Sequence, residues 1–275
     1  MLLWGYTYRQ PDTTADALST AAVILTGTDG RADEHRSWLR GCLLPNEAGI
    51  MYMPARGAEI RCTSWALAAG VTLDDRDRNR VAAWLTTLQN PDGGFGYWEG
   101  RGSDVVSSTA AVDIARALGA RPGDLIDIER LLSFLESCGS SDHLARYAVV
   151  PGAPTGLRAT AKVLRIRAYL TAPDYEAAES LLDEHEVHGG GWADRGHRLP
   201  DLLTTFESVL LSDALGLPID EAALLRFCDR VHTERGTAWS PLAPPDGGPL
   251  AECLGYHLTR RAMNPSHVVP ALSLS

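Results

Sequence analysis

A unit of about 45 to 50 residues recurs along this chain, and it constrains the fold more than any other feature of the sequence. Two copies are nearly explicit, at residues 79–119 and 177–216. Each reads as an amphipathic helix, a turn of Gly and aromatic residues, and a second helix rich in small residues. A period of this length indicates stacked helical hairpins, because one hairpin cannot bury its apolar face alone.

Weaker copies of the unit extend this frame over the rest of the chain, at residues 46–70, 138–170 and 234–261. The pattern predicts six helices that follow turns, near residues 12–26, 58–70, 104–119, 156–171, 200–215 and 247–262. It predicts five helices that precede turns, near residues 32–44, 75–89, 125–138, 174–187 and 219–233.

The two sets of helices differ in composition. Helices that precede turns carry charge on one face, as at residues 75–89, which is typical of a surface helix. Helices that follow turns are dense in Ala, Ser, Thr and Leu, as at residues 104–119. We therefore expect an all-α closed ring, an α/α toroid with six inner and about five outer helices. An open solenoid is the alternative.

The ring is expected to be one domain spanning residues 1–275, since the repeats run through the whole chain. The tail, from about residue 264 to 275, lacks room for a sixth outer helix. It is expected to cross the ring as a strap, to fill a groove of a partner, or to be disordered.

The turn residues 89–98 read Gln-Asn-Pro-Asp-Gly-Gly-Phe-Gly-Tyr-Trp, and residues 189–194 read Gly-Gly-Gly-Trp-Ala-Asp. With the Thr- or Ala-rich helix that follows each, these turns resemble the repeat of protein prenyltransferase β subunits and squalene or terpene cyclases. The resemblance covers essentially the whole chain. It implies an α/α toroid whose central cavity holds an isoprenoid, although one fold hosts many chemistries.

The catalytic motifs of that family are missing. Class II terpene cyclases carry Asp-x-Asp-Asp-Thr-Ala at the start of an inner helix, and residues 105–110 here read Val-Val-Ser-Ser-Thr-Ala. Protein prenyltransferases hold zinc with an Asp-x-Cys pair and a later His. The matching stretches here are Asp201-Leu-Leu and, at residues 251–253, Ala-Glu-Cys. We therefore expect no metal site and no cofactor, with Mg²⁺ only where a diphosphate is bound.

Two other pairs have metal-ligand spacing, His185 with His188 and Cys253 with His257. Neither has a third ligand at a recognisable distance in the sequence, and structural metal sites need three or four. Solvated or capping histidines are therefore the preferred explanation.

Three carboxylates at the starts of helices that follow turns are candidate catalytic acids: Asp104, Glu59 and Asp201. A carboxylic acid in an apolar cavity stays protonated because burial raises its pKa, so it can donate a proton to an alkene. The competing explanation is that an acidic residue in this position caps its helix.

Seven residues are candidate substrate-binding groups. Arg61 and Arg158 lie in a first helical turn, where a cation is unfavourable, so each is expected to meet a diphosphate, a carboxylate, or an ion-pair partner such as Glu59 or Asp104. Aromatic rings stabilise carbocations without quenching them. The remaining candidates are Trp65, Tyr52, Tyr97, Cys62 and Glu252.

Composition excludes several classes of partner. The net charge of −10 argues against nucleic acid and against an anionic membrane surface. No apolar run approaches the 18 residues or so of a membrane span, so an integral membrane protein is not expected. Five scattered cysteines are consistent with reduced thiols and a cytoplasmic location.

Three functional hypotheses follow. The first is an enzyme of bacterial specialised metabolism that acts on an isoprenoid or similarly apolar polyene, by acid-initiated carbocation cyclisation or prenyl handling. The second is a non-catalytic prenyl-binding or β-like subunit that serves a partner enzyme or forms a homodimer. The third is an (α/α) ring glycosidase-like hydrolase, which needs two carboxylates about 5 to 10 Å apart, such as Asp104 and Asp201.

Overall fold

The computed structural model describes residues 15–28, 30–140, 146–196 and 198–274. These residues form twelve α-helices and one short two-stranded sheet. The helices are α1 (Ala17–Thr26), α2 (Ala32–Gly41), α3 (Ile60–Ala68), α4 (Asp75–Thr87), α5 (Val105–Ala117), α6 (Pro122–Leu125), α7 (Ile128–Ser137), α8 (Leu157–Leu170), α9 (Tyr175–His185), α10 (Leu202–Leu215), α11 (Glu221–Val231) and α12 (Gly248–Met263). The strands are β1 (His232–Thr233) and β2 (Gly236–Thr237), which pair antiparallel.

Each predicted helix is present, with two changes. The helix predicted at residues 125–138 begins later, as α7, and a separate short helix, α6, precedes it. Between the two, the Gln89 side chain accepts from the Asp127 N–H and donates to the Asp127 carbonyl. The helix predicted at 219–233 ends at Val231, because the next two residues form β1. The first residues of the helix predicted from residue 12 lie outside the described residues.

The chain divides into two compact units, residues Met1–Phe134 with Ala271–Ser275 and residues Leu135–Pro270. In the first unit α3 packs against both α1 and α5. In the second unit α10 packs against both α8 and α12. Within each unit, therefore, consecutive helices that follow turns lie side by side.

Burial separates the two kinds of helix. In α5, ten residues are buried, and they include three consecutive hydroxyl residues, Ser107, Ser108 and Thr109. In α4 only Val81 and Leu85 are buried. Small side chains let the helices that follow turns approach on several sides at once, whereas the helices that precede turns bury a single stripe.

One hydrogen bond repeats in four turns and joins each turn to the helix after it. The backbone N–H of a turn residue donates to a Ser or Thr hydroxyl 13 residues later, at 2.9 to 3.1 Å. The pairs are Ile50 with Thr63, Phe95 with Ser108, Tyr147 with Thr160, and Trp192 with Thr205. This bond satisfies a buried N–H that no regular helix or sheet would pair.

Two turn glycines are required by close packing. Gly93 and Gly190 have φ angles of +92° and +103°. A Cβ atom on Gly93 would lie 2.1 Å from the carbonyl oxygen of Arg130 in α7, and one on Gly190 would lie 1.9 Å from that of Ala223 in α11. Only glycine fits both the left-handed backbone and the contact.

Candidate functional site

The candidate site lies in the first unit, where Glu59 precedes α3. Asp16, Asp104 and Asp201 occupy the same place before α1, α5 and α10, and each accepts an N–H of its own helix. Glu59 makes no such capping bond, although it is 4% exposed. Its carboxylate is therefore held by other partners.

Those partners are the two nearest polar side chains of α3. Arg61 Nε donates to Glu59 Oε1 at 2.5 Å, and Cys62 Sγ donates to Glu59 Oε2 at 3.1 Å. The ion pair that the sequence suggested between Arg61 and Glu59 is thus present. Both carboxylate oxygens of Glu59 therefore accept hydrogen bonds from α3, so the side chain serves as the ion-pair partner of Arg61.

Arg61 is held on its other side by an aromatic ring. Its guanidinium carbon lies 4.2 Å from the centre of the Tyr97 ring, in cation–π geometry. Burial by itself would lower the pKa of Arg61, but the neighbouring Glu59 carboxylate outweighs burial, and the pKa of Arg61 lies above its ordinary value. Arg61 is therefore a fixed positive charge.

Cys62 is a neutral thiol. Burial, and then the adjacent Glu59 charge, raise the pKa of Cys62 well above its ordinary value. A thiol in this state donates a hydrogen bond and is a poor nucleophile or metal ligand. Its role in the site is to complete the partners of Glu59.

A pocket of about 630 Å³ opens beside this cluster, entirely within the first unit. Its wall combines aromatic and apolar groups with two arginines and three glutamates. The lining residues are Glu47, Tyr52, Met53, Arg56, Gly57, Ala58, Glu59, Arg61, Trp84, Trp98 and Glu99. Glu47 is engaged, because its carboxylate accepts from the Ala58 N–H at 2.8 Å. The volume suits a drug-sized or prenyl-sized ligand.

Tyr52 lines this pocket and also contacts the first residue of α1 through its backbone. Its carbonyl oxygen accepts from the Ala17 N–H at 2.8 Å, just as the Tyr97 carbonyl accepts from the Ile60 N–H at 3.0 Å. Burial, followed by the charge of Asp16, raises the pKa of the Tyr52 phenol. Tyr52 is therefore a neutral wall of the pocket.

The other two candidate acids cap helices. Asp104 accepts from the N–H and the hydroxyl of Ser107, both at 2.8 Å. Asp201 accepts from the N–H of Thr204 at 2.9 Å and from its hydroxyl at 2.6 Å. Burial raises the pKa of Asp104, while the Ser107 bonds oppose that rise.

Three candidate binding residues lie apart from the pocket. Arg158 pairs with Asp194, at 3.3 Å from Nε to Oδ2. Trp65 is fully buried, and its Nε1 donates to the Ser273 carbonyl at 3.2 Å. Glu252 accepts from the Thr237 N–H at 2.6 Å and from the Thr237 hydroxyl at 2.8 Å. In this turn the N–H is thus received by a glutamate 15 residues later, and not by a Ser or Thr 13 residues later as in the other turns.

A buried charge cluster in the second unit was not predicted from the sequence. Lys162 Nζ lies 2.5 Å from Glu207 Oε1, and Arg165 Nη1 lies 3.0 Å from Glu207 Oε2. Burial lowers the pKa of Lys162, and the Glu207 carboxylate opposes that shift. The sequence offered one indication of this cluster. Lys162, the single lysine of the chain, and Glu207 each lie in the middle of a helix otherwise rich in small and apolar residues.

Of the described residues, no three His, Cys, Asp or Glu side chains are grouped so that they could hold a metal ion. His185 Nδ1 contacts the Ala193 carbonyl oxygen at 2.8 Å, and His257 Nδ1 lies 3.0 Å from His267 Nε2. No helix among the described residues is both long and apolar enough to cross a membrane.

Comparison with known proteins identifies the family. The family model described as "Prenyltransferase alpha-alpha toroid domain" matches residues 15–153, half of the chain. The chain therefore belongs to the prenyltransferase α/α toroid family, and the predicted fold class and resemblance are confirmed. None of the curated protein sequences matches it significantly.

Solved structures support the same fold over nearly the full length. Protein geranylgeranyltransferase-I of Candida albicans, complexed with GGPP, is 14% identical, with a TM-score of 0.71 over 94% of this chain and 90% of its own. The type II terpene cyclase MstE from Scytonema is 14% identical, with a TM-score of 0.62 over 94% and 91%. An α-amylase from Clostridium perfringens is 9% identical, with a TM-score of 0.63 over 94% and 90%. At these identities the likeness concerns the fold alone.

Proposed function

We propose that this protein binds an isoprenoid or similarly apolar polyene in the pocket beside Glu59 and Arg61, and that prenyl handling is its function. The observation that carries the proposal is the composition of the pocket wall. Trp84, Trp98 and Met53 offer apolar surface, while Arg56 and Arg61 offer positive charge alongside the three glutamates of the wall. An amphipathic ligand with a prenyl chain and an anionic head, such as a diphosphate, satisfies both.

The state of Arg61 supports this assignment. Glu59 and the Tyr97 ring fix the guanidinium in one place, so little conformational entropy is lost when an anion binds. The structural neighbours are consistent with such a ligand, since one was solved in complex with GGPP and another is a type II terpene cyclase. A prenyl-binding or β-like subunit that serves a partner enzyme fits this pocket as well as an enzyme does.

Acid-initiated cyclisation is the second candidate, and one observation favours it. Burial raises the pKa of Asp104, which favours the protonated acid, while the charge of Arg61 acts in the opposite direction. The two bonds from Ser107 work against protonation, since both favour the ionised carboxylate. Prenyl binding does not require a proton on the Asp104 carboxylate, so it is the better supported function.

The test begins with mass spectrometry of small molecules retained by the purified protein. The protein is then incubated with geranyl, farnesyl and geranylgeranyl diphosphates and with squalene, and binding and products are measured. We expect at least one prenyl diphosphate to bind, and Trp84→Ala to weaken binding about tenfold through lost apolar contact. Trp38→Ala, a change in α2 outside the pocket, should leave binding intact.

Asp104→Asn separates the two candidates. Asn caps a helix about as well as Asp, so the fold should be retained. A cyclised product that disappears in Asp104→Asn while ligand binding remains would establish the acid. Binding without product in the wild-type protein would leave prenyl handling as the function, and failure to bind any of the four probes would refute both.

A further inference from the structure

The wall of the pocket carries charges of both signs, and two of them have no partner. The wall holds two arginines and three glutamates. Arg61 is paired with Glu59, and the Glu47 carboxylate accepts a backbone N–H of its own loop. Among the described residues, no ion pair or hydrogen bond involves the side chains of the remaining two, Arg56 and Glu99. These two charges are therefore available to a ligand.

The two unpaired charges lie on different loops around the pocket. Arg56 belongs to the loop between α2 and α3, and Glu99 belongs to the loop between α4 and α5. Both residues are exposed, and both line the pocket. A ligand in the pocket therefore meets an unpaired positive charge on one loop and an unpaired negative charge on the other.

An aromatic ring adds to the negative side of the pocket. Trp98, the neighbour of Glu99 in the sequence, lines the pocket and is 51% exposed. Its ring already attracts one cation, since the guanidinium carbon of Arg101 lies 5.7 Å from the ring centre. Arg101 itself is not a lining residue. Aromatic faces bind quaternary ammonium groups, so Trp98 and Glu99 together favour a positive group on the ligand.

We propose that the ligand of this pocket has a zwitterionic head group, in which an apolar chain ends in a phosphate that carries an ammonium group. The phosphate meets Arg56, and the ammonium meets Glu99 and Trp98. A purely anionic head would place a like charge near Glu99, and a purely cationic head would do so near Arg56. The apolar chain rests on the proposed function, whereas the two poles of the head group rest on Arg56 and Glu99.

Three amphiphiles with the same chain and different head groups test the proposal. Dodecylphosphocholine is zwitterionic, dodecyl phosphate is anionic and dodecyltrimethylammonium is cationic, and each is titrated by calorimetry below its micelle concentration. The wild-type protein should bind dodecylphosphocholine at least about tenfold more tightly than either of the other two. Equal affinity for dodecylphosphocholine and dodecyl phosphate would overturn the proposal, as would failure to bind any of the three.

Two substitutions of exposed side chains should act on the three head groups in opposite ways. Glu99→Gln should weaken binding of dodecylphosphocholine and dodecyltrimethylammonium about tenfold, and it should not weaken binding of dodecyl phosphate. Arg56→Met should weaken binding of dodecylphosphocholine and dodecyl phosphate about tenfold, and it should not weaken binding of dodecyltrimethylammonium. Glu179→Gln and Arg121→Met, at exposed positions outside the pocket, are the matched controls and should change none of the three affinities. Identical titrations of Glu99→Gln and Glu179→Gln would overturn the proposal.

The outcomes also separate the zwitterionic head group from the proposed function. Wild-type protein that binds farnesyl diphosphate, with no preference for dodecylphosphocholine over dodecyl phosphate, refutes the zwitterionic head group alone. Wild-type protein that binds neither a prenyl diphosphate nor squalene, and yet binds dodecylphosphocholine with the expected losses in Glu99→Gln and Arg56→Met, refutes the proposed function alone.

Discussion

Lys162 and Glu207 are the sixth residues of α8 and α10, and they form an ion pair of 2.5 Å in which each side chain is 2% exposed. Arg165 is a second partner of Glu207 at 3.0 Å. Two cations therefore share one buried carboxylate. Such a cluster is sensitive to the loss of a single member, because the remaining charges stay buried.

Loss of the carboxylate should cost more stability than loss of the lysine. Glu207→Gln leaves two buried cations without a counter-charge, and we expect it to lower the free energy of unfolding by at least about 3 kcal/mol. Lys162→Met leaves the pair between Glu207 and Arg165, so its effect should be smaller. Urea denaturation measures both, with Glu179→Gln on the exposed surface of α9 as the control. Equal effects of the two buried substitutions would contradict the shared-carboxylate arrangement.

The contact at Gly93 can be tested against a glycine in similar backbone geometry. Gly93→Ala and Gly100→Ala both place a side chain on a left-handed backbone, with φ angles of +92° and +76°. Only Gly93 faces a neighbour, the Arg130 carbonyl, whereas Gly100 has nothing within 4 Å. We expect Gly100→Ala to cost about 1 kcal/mol and Gly93→Ala at least about 2 kcal/mol more, in thermal or urea unfolding. Similar losses at both positions would show that the clash is relieved at little cost.

The hydrogen bond from each turn N–H to a hydroxyl of the next helix should contribute to stability, so removing one such hydroxyl should lower the free energy of unfolding. Thr205→Val keeps the shape of the side chain but leaves the buried Trp192 N–H without its acceptor. We expect a loss of about 1 to 3 kcal/mol in unfolding free energy. Thr87→Val, at an exposed position of α4 whose hydroxyl donates only to the Trp84 carbonyl in the same helix, is the matched control and should change stability by less than about 0.5 kcal/mol. Equal unfolding free energies for the two variants would show that the hydrogen bond from the Trp192 N–H to the Thr205 hydroxyl contributes no measurable stability.

His267 predicts the direction of a pH effect. Burial, and then the charge of Arg260, lower the pKa of His267 below its ordinary value, with Asp213 opposing them. The folded state therefore favours neutral His267, and its contribution to stability is present above the ordinary histidine pKa and is lost as pH falls through the lowered value. His267→Gln should lose less stability than the wild-type protein between pH 7.5 and pH 5.5 or so.

The measurement for His267 is urea unfolding across this pH range. His188→Gln supplies the control, because His188 is exposed. An identical pH dependence in wild type and His267→Gln would contradict the prediction.

The repeat made the helices predictable, because the Gly and aromatic turns mark the start and end of each hairpin. Gly93 shows why these residues identify the fold, since a backbone contact in the next hairpin excludes every other side chain. The residues that cap helix N-termini were also predictable from the sequence. Asp104 and Asp201 lie where a first-turn acid caps a helix, and both do so.

The partners of buried charges were harder to predict. Glu59 has the same sequence position as the capping aspartates, and only the structure places its longer side chain against Arg61 and Cys62. The pair between Lys162 and Glu207 joins residues 45 apart in the sequence. No local pattern specifies such a partner, although the equivalent helix position of the two residues could have suggested it.

The most direct test of the central claim is a titration with two ligands that share a prenyl chain, farnesyl diphosphate and farnesol, each followed by calorimetry. Arg56 is exposed and lines the pocket, so Arg56→Met should leave the fold intact. It should weaken binding of the diphosphate about tenfold and leave binding of the alcohol unchanged. Arg121→Met, on a side chain that is 89% exposed and outside the pocket, should change neither. Equal diphosphate affinity in Arg56→Met and Arg121→Met would contradict recognition of an anionic prenyl ligand at this site.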